Sequence, residues 1–473
     1  MVEVTMKTLT KKITAWVLLA VFCQFAAISP AFSFSIGEER EVGEKLLYSV
    51  RSAFELVDDP DVTQYITHLG QSVLEVAGIQ YFDYHFFVIA DKEVNAFAAP
   101  SGLIFFNAGL IEIVNSEDEL VSVLAHEIGH IVKRHLASRV EKGTYSGIAS
   151  LGMALAAIAF GGAAAPVLFT GALATGQSLN LYFSRQHEEE ADLLAYDWMK
   201  KLKRDPQGQI KMMEALRRIA RYRSEKLPQY LLTHPNPEAR LDYIESILEN
   251  ENSKNDSLAR TDEFDFLRFK YRVLAKVKGP ETLKPILATI VADGRSSESV
   301  KAMANYGLSQ IAVSENDYKR SLDLLEKTAK HYPNKKILNV DRGAILFAAA
   351  EMTEAEKCFR EALQAESSDM YATFLLAKLL YRTGRAAEAE KYFKTVSYEL
   401  PEYAKVYFEL GQIASDKGQK GIAAMYLGKF NLYQGKLKLA EQSLKSALRD
   451  AALPDALKIE CRDLLKKITL LKK

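Results

Sequence analysis

The feature that most limits what this chain can fold into is a spacing of 34 residues in its last third. Ser321, Ala355, Ala389 and Ala423 stand 34 apart, as do Leu325, Phe359, Phe393 and Leu427; Pro333 and Pro401 are two such periods apart, and Gly384 and Gly418 one. A small and a large apolar residue, four apart and repeated at this interval, predict pairs of helices that bury their apolar faces only by stacking on neighbours. Gly428 and Gly435, followed by Ala440, Leu444 and Ala447, carry the array to about residue 448. A solenoid of this kind offers a concave surface to extended peptides or partner proteins. The alternative is a helical array that only braces what precedes it.

Residues 121–135 read VSVLAHEIGHIVKRH. Val121, Leu124, Ala125, Ile128 and Val132 fall at helical spacing, and the Ser-x-x-Glu pattern at 116–119 marks where the helix begins. His126 and His130, four apart, then share one face and can reach one metal ion. Glu127 lies beside that ion, where a general base for a metal-activated water belongs. His135, five residues past His130, sits about 140° further round a helix and is expected to be structural or at the surface. The bland reading makes both histidines ordinary core or surface residues.

A site of this kind needs a third protein ligand. RQHEEEAD at 185–192 offers Glu188 and Asp192, four apart on a second helix, one to bind the ion and the other to hold a ligand histidine by its second ring nitrogen. His187, Glu189 and Glu190 have the same local chemistry, and a solvated acidic face would account for all of them. Residues 81–89 read as a strand, with His85 an ordinary strand residue, and 95–98 and 103–106 as short extended segments about the Pro100-Ser101-Gly102 turn. An exposed edge there could hold a substrate extended through main-chain hydrogen bonds; an ordinary hairpin covering the helix is compatible with that. THPNPEARL at 233–241 places His234 and Arg240 in a proline-bounded loop and helix start.

Taken in order, NAFAAPSGLIFFNAGL, LAHEIGH, SRQHEEEAD and THPNPEARL resemble the zinc metallopeptidase family that contains the CAAX prenyl protease and the HtpX membrane protease. The 34-residue units resemble the tetratricopeptide repeat, which makes the chain most similar to the BepA-type periplasmic members. The resemblance covers residues 37–248 closely and the repeats in architecture. It implies a mainly α fold, with an α+β zincin-like metalloprotease domain containing a small sheet, followed by an α-solenoid of tetratricopeptide repeats. It further implies one zinc per chain on His126, His130 and Glu188, with Glu127 as general base and Asp192 supporting the ligands. His234 would stabilise the oxyanion, touch the substrate or cap the zinc in a resting state. Arg240, together with Asn95, Ala96 and Phe97 of the edge strand, would bind substrate. Ala99-Pro100-Ser101-Gly102 replaces the Pro-Gly-Gly of many relatives, which is expected to alter the turn and not the chemistry. The lack of several long apolar spans sets the chain apart from the CAAX proteases.

Lys plus Arg equals Asp plus Glu, 61 each, so no basic excess points to nucleic acid. Lys7, Lys11 and Lys12, an apolar run over 13–28 and then Ser29, Ala31 and Ser33 predict a cleaved secretory signal at 1–33 and a periplasmic chain; an uncleaved anchor is the alternative. Without that signal only Cys358 and Cys461 remain, too few for a disulfide scaffold and able to form one bridge. Residues 143–184 carry no charge and are broken at Gly161-Gly162 and Pro166. They read as a helical pair covering the active site, as a membrane-surface or re-entrant element, or as a span. The expected domains are the protease at 34–251, a linker and irregular helical bridge at 252–300, repeats at 301–454 and a last helix at 455–473. The function expected is a secreted zinc endopeptidase acting on protein or peptide substrates of the cell envelope, in quality control or assembly of outer-membrane proteins, with assembly machinery engaged through the repeats. The alternative is a repeat-based chaperone or scaffold whose zinc site is regulatory or rarely active.

Overall fold

The structure, a computed structural model, describes residues 35–141, 183–222, 228–250 and 262–472. The signal expected at 1–33, nearly all of the uncharged stretch at 143–184 and the linker at 252–256 lie outside the described residues. Helices α1 (Ile36–Ala53) and α2 (Pro60–Ala77) open the first lobe. Each starts where the sequence supplies a cap: Ser35 and Glu38 form a reciprocal capping box, and Asp59 accepts from Asp61 and Val62 with Pro60 in the first turn. Strands β1 (His85–Ile89), β2 (Ala96–Ala99) and β3 (Leu103–Asn107) follow in the order β1-β3-β2, with β1 parallel and β2 antiparallel to β3. The strand expected from residue 81 begins only at His85, because its partner β3 starts opposite it at Leu103, after a turn with Ser101 and Gly102 both left-handed at φ 70° and 82°.

The remaining helices of this lobe among the described residues are α3 (Ala108–Ile113), α4 (Glu117–Val132), α5 (His135–Glu141), α6 (Arg185–Lys201), α7 (Gln207–Tyr222), α8 (Gln229–Thr233) and α9 (Pro237–Asn250). Ser116 caps α4 through the amide of Glu119, while the Glu119 carboxylate reaches the amide of Asn115 and so completes the cap one residue early. Every residue of α4 from 120 to 131 is buried. Its apolar face packs among Ile66, Ile104, Phe106, Trp198 and Leu216. On its polar face His126, Glu127 and His130 are buried as well, at 1–2% exposure.

Residues 262–290, expected as an irregular helical bridge, are helical and broken at Gly279-Pro280, the first helix being α10 (Glu263–Val277). Phe266, Phe269 and Val273 on one face join the core around α4, whereas Phe264, Tyr271 and Leu274 join the core of the first repeat helices. Between the two apolar faces lie buried Arg268 and Arg272. Arg268 donates to Asp61 at 2.7 Å and Asp341 at 2.8 Å, and Arg272 to Asp59 at 3.1 Å and Asp341 at 3.2 Å, which ties α2 to the solenoid. Further along, Gln64 pairs with Ser368 and Met370, Arg51 with Glu402, and Lys405 with the carbonyl of Asp58.

The solenoid runs through α11 (Pro280–Ala292), α12 (Glu298–Ser314), α13 (Tyr318–His331), α14 (Ile337–Ala348), α15 (Met352–Ala365), α16 (Met370–Arg382), α17 (Ala386–Glu399), α18 (Ala404–Asp416), α19 (Lys420–Tyr433), α20 (Leu437–Leu448) and α21 (Asp455–Leu471). Ser321, Leu325, Ala355, Phe359, Ala389 and Phe393 are buried as the period requires. Leu427 is not: it is 44% exposed, and α19 instead buries Met425, Gly428 and Leu432. The reason is the next helix, since a Cβ on Gly428 would lie 2.7 Å from Leu444 of α20, so α19 turns its glycine face toward α20. Cys358 and Cys461 are both free and buried, and the bridge between them is not formed. No described helix is long and apolar enough to cross a membrane.

The turns between paired helices use one left-handed residue each, Asn316, Ala350, Gly384 and Gly418, at φ 59°, 65°, 83° and 71°. Alanine is strained there by about 1–2 kcal/mol, of which glycine gives back roughly 0.5–1 kcal/mol in chain entropy. Ala350→Gly, at an exposed position, is therefore expected to stabilise the solenoid by about 0.5–1 kcal/mol, read by urea denaturation.

Candidate metal centre and active site

Helices α4 and α6 meet closely where Gly129 faces Ala191: a Cβ on Gly129 would stand 3.3 Å from the Ala191 Cα. That approach sets residues one turn away on α6 against the histidines of α4. Glu188 brings Oε1 to 3.4 Å from His130 Nε2 and Oε2 to 3.6 Å from His126 Nε2, while the two Nε2 atoms are 3.0 Å apart. Of the acidic candidates at 185–192, Glu188 is the one whose oxygens converge on both histidines. Glu189 pairs with Arg185 at the surface.

The third element is the end of α8. Its short helix stops at Thr233, and His234 at its C-terminus turns Nδ1 to 3.3 Å from His126 Nε2 and 3.1 Å from Glu188 Oε1. One atom each of His126, His130, Glu188 and His234 lies within 4.8 Å of the others, and all four residues are buried. The His234 ring is held between Tyr230, with centroids 4.5 Å apart, and Phe183 at 5.4 Å.

Behind the donors stands a second layer. Asp192 accepts from His126 Nδ1 at 2.8 Å and takes two hydrogen bonds from Arg240, Nε to Oδ2 and Nη2 to Oδ1, both 2.7 Å. Arg240 also reaches Glu188 through Nη1 at 2.9 Å. Burial alone would raise the Asp192 carboxyl, but the Arg240 guanidinium and His126 hold it well below the usual carboxylate range. Arg240, expected at the substrate, is committed to these two carboxylates and lies behind the ligands. Burial pushes His130 well below the usual histidine range and His234 down to about 3, so both imidazoles are neutral with lone pairs to offer.

Glu127 sits beside the four donors. Its Oε2 accepts the amide of Ala98 at 2.9 Å, and Oε1, buried and without a hydrogen-bond partner among the described residues, faces His234 Nε2 at 3.5 Å. Burial pushes its carboxyl up to about 7, a value matched to proton transfer near neutral pH. The contact comes from β2, whose one side is paired to β3 and whose other side turns toward Glu127. The far edge of the sheet is closed by main-chain bonds between Glu55 and Ala90 and between Val57 and Val88. Ala96 and Phe97 point their side chains into the apolar cores, Phe97 against Phe105 at 4.8 Å, and the edge expected to be exposed is buried, Ala96 to Ala99 being 0–5% exposed. Asn95 is buried just before β2, its carbonyl accepting from the amide of Asn107.

Two residues that helical spacing passed over also lie at the site. Phe183 covers His130 with centroids 4.1 Å apart. His135 places Nδ1 2.9 Å from His130 Nδ1 and Nε2 3.1 Å from Glu190. Helical spacing would carry His135 off this face in one continuous helix, but α4 ends at Val132 and Arg134 turns left-handed at φ 50°, held by Glu39 of α1. The chain then re-enters α5 with His135 directed back at His130. The sequence signal was Lys133-Arg134 at the end of the apolar pattern, where a helix stop is plausible and a continued helix is not required.

Three imidazoles and a carboxylate, five of their six donor pairs 3.0–3.6 Å apart and all within 4.8 Å, suit a four-coordinate divalent ion, since bonds of about 2.0–2.2 Å set tetrahedral edges of about 3.4 Å. The donor set fits zinc. The bland reading of the histidines as ordinary core residues does not explain three ring nitrogens converging on one carboxylate in a buried site.

Residues 60–248 match the model of peptidase family M48, and residues 306–369 and 340–404 match the tetratricopeptide repeat. The chain is 36% identical over 217 residues to the beta-barrel assembly-enhancing protease of Escherichia coli, an alignment covering 45% of this chain and 44% of that protein. It is 30% identical over 312 residues to the protein of the same name in Yersinia pestis, covering 64% and 62%. The mitochondrial metalloendopeptidase OMA1 of Schizosaccharomyces pombe is 30% identical over 189 residues, covering 39% and 53%. The chain thus spans roughly half the length of the curated relatives it matches. It carries an M48 peptidase domain followed by tetratricopeptide repeats, and that family implies a metal ion.

An ion held only by the folded site stabilises the fold by about 2.7 kcal/mol when free metal is a hundredfold above its Kd. Stripping the protein with a chelator is expected to lower its melting temperature by several degrees, and added zinc to restore it. An unchanged scanning-calorimetry trace would show that the four donors hold no ion.

Proposed function

We propose that the chain is a zinc-dependent endopeptidase of the bacterial cell envelope, exported by the segment at 1–33 and acting in quality control or assembly of outer-membrane proteins. The observation that carries this reading is the convergence of four buried donors beside a buried glutamate that is tied to the Ala98 amide of the edge strand β2. His126, His130 and Glu188 would hold the zinc, with His234 as a fourth donor in a resting form. When bound, the ion supplies a Lewis acid that polarises the scissile carbonyl and eases ionisation of water.

The residues of the chain do the rest. Glu127, fixed through Oε2 by the Ala98 amide, accepts a proton from the attacking water at Oε1 and returns it to the leaving amine. The main chain of β2 pairs with the substrate in extended form, which gives affinity with little side-chain preference. Asp192 and Arg240 keep His126 and Glu188 in place. Because the side chains of Ala96 and Phe97 are turned inward, choice of client falls to the repeats. The names of the bacterial relatives support beta-barrel assembly as the process served, with an assembly machine as partner of the solenoid.

The close approach of His234 to three of the other groups favours a resting enzyme, in which this imidazole occupies the position a substrate carbonyl or water must take. The scaffold reading would leave the Glu127 carboxylate and its strand contact without a use. Glu127→Gln is expected to retain zinc and lose at least about 100-fold in casein cleavage. Full activity in that variant would sink the enzyme reading. His234→Ala is expected to keep zinc and to cleave casein several-fold faster than the parent chain. A loss of activity instead would move His234 from the resting plug to the catalytic machinery.

A further inference from the structure

The His126 side of the centre has an evident support in Asp192 and Arg240, whereas the His130 side ends in a histidine pair that none of the assigned roles uses. His130 Nδ1 lies 2.9 Å from His135 Nδ1, and His135 Nε2 lies 3.1 Å from Glu190 Oε2. Hydrogen-bond chemistry allows one consistent order. An ionised carboxylate only accepts, so the His135 Nε2 must carry its proton. A neutral His135 then has a lone pair at Nδ1, and the group offered to it among the described residues is the N–H at His130 Nδ1. That leaves the lone pair of His130 at Nε2, the atom that faces His126 and Glu188. The reverse order would aim an N–H into the donor cluster and set a bare nitrogen against the Glu190 carboxylate.

We infer that Glu190 and His135 are positioning residues that fix the tautomer and orientation of His130, forming with it a carboxylate–imidazole–imidazole chain that supports the metal centre. The inference rests on the metallopeptidase reading above. The chain is built and not incidental. The left-handed Arg134, anchored on Glu39 at 3.1 Å, redirects His135 to His130. His187 stacks on the His135 ring, centroids 4.3 Å apart and nearly parallel at 14°. Gln186 holds the other oxygen of Glu190 at 2.9 Å. His135 is 2% exposed, while the Glu190 side chain is 37% exposed, so the outer link can be altered without opening the core. A residue that merely filled space at position 135 would need neither the Nδ1 contact nor a carboxylate behind it.

The test uses the full chain in the Glu127→Gln background, which prevents self-cleavage. Zinc affinity is measured by competition with a chromophoric chelator, and the visible absorption of the cobalt(II)-loaded protein reports the ligand field. His135→Phe keeps the ring packing and removes the acceptor. His135→Asn returns an acceptor oxygen near the place of Nδ1. Glu190→Ala cuts the chain at its exposed end. Losing an outer partner of a ligand histidine typically weakens metal binding about 10–100-fold, and that loss is expected for His135→Phe, with a smaller loss for Glu190→Ala, a shifted cobalt spectrum in both, and recovery in His135→Asn. Equal zinc affinity and an unchanged cobalt spectrum in Glu190→Ala and His135→Phe would overturn the role given to the pair and leave the metallopeptidase reading standing. A His135→Phe variant that fails to fold leaves Glu190→Ala to decide. Absence of zinc uptake in the Glu127→Gln parent would overturn the metallopeptidase reading itself.

Discussion

The first lobe depends on burying three carboxylates, Glu127, Glu188 and Asp192, in one core with one guanidinium, Arg240. Burying unpaired charge is costly, and each of these groups answers the cost differently. Asp192 is neutralised by the forked contact of Arg240 and by His126. Glu188 shares the same arginine and faces three imidazole nitrogens. Glu127 has one amide and is left with a raised pKa. With all three ionised, the cluster carries two more negative than positive charges, and a divalent ion balances it. The arrangement of the four donors and the raised proton affinity of Glu127 follow from one charge balance, which a divalent ion would complete.

That balance needs four separate pieces of chain brought together, and helix packing supplies the means. Gly129 lets α6 approach α4, so that Glu188 and Asp192 fall beside His126 and His130. The α8 to α9 turn, with Asn236 left-handed at φ 60°, brings His234 to one side of Glu188 and Arg240 to the other. The sheet contributes at its edge, where the amide of Ala98 orients Glu127. Site geometry and stability are therefore coupled: side chains that hold the four donors in place also close the core.

The solenoid is not a tethered arm. α10 is a shared wall between the lobes, apolar toward both, with Arg268 and Arg272 joining Asp59 and Asp61 of the first lobe to Asp341 of the second. Breaking such a buried network is far more costly than losing a surface pair, which makes the orientation of the repeats a property of the fold. Contacts at Gln64, Arg51 and Asp58 extend the seam along α16 and α18. Part of the surface that a free repeat array would present to peptides is thus spent on the chain's own first lobe.

Local pattern determined much of this protein. The spacing of 34, the His-Glu-x-x-His helix and the caps at Ser35, Asp59 and Ser116 are short-range features, set by helical period and by hydrogen bonds within a few residues, and they can be read without knowing what lies across the core. Features whose cause is a distant partner could not be read so. Which of Glu188, Glu189, Glu190 and Asp192 faces the histidines depends on the Gly129–Ala191 approach; the placement of Arg240 depends on two carboxylates nearly fifty residues away in sequence. Leu427 follows the sequence period yet lies exposed because Leu444 claims the other face of α19. His135 left the expected helix face because Glu39, about a hundred residues earlier, holds the turn before it. Periodicity fixes which residues share a face, and only tertiary packing decides what that face meets.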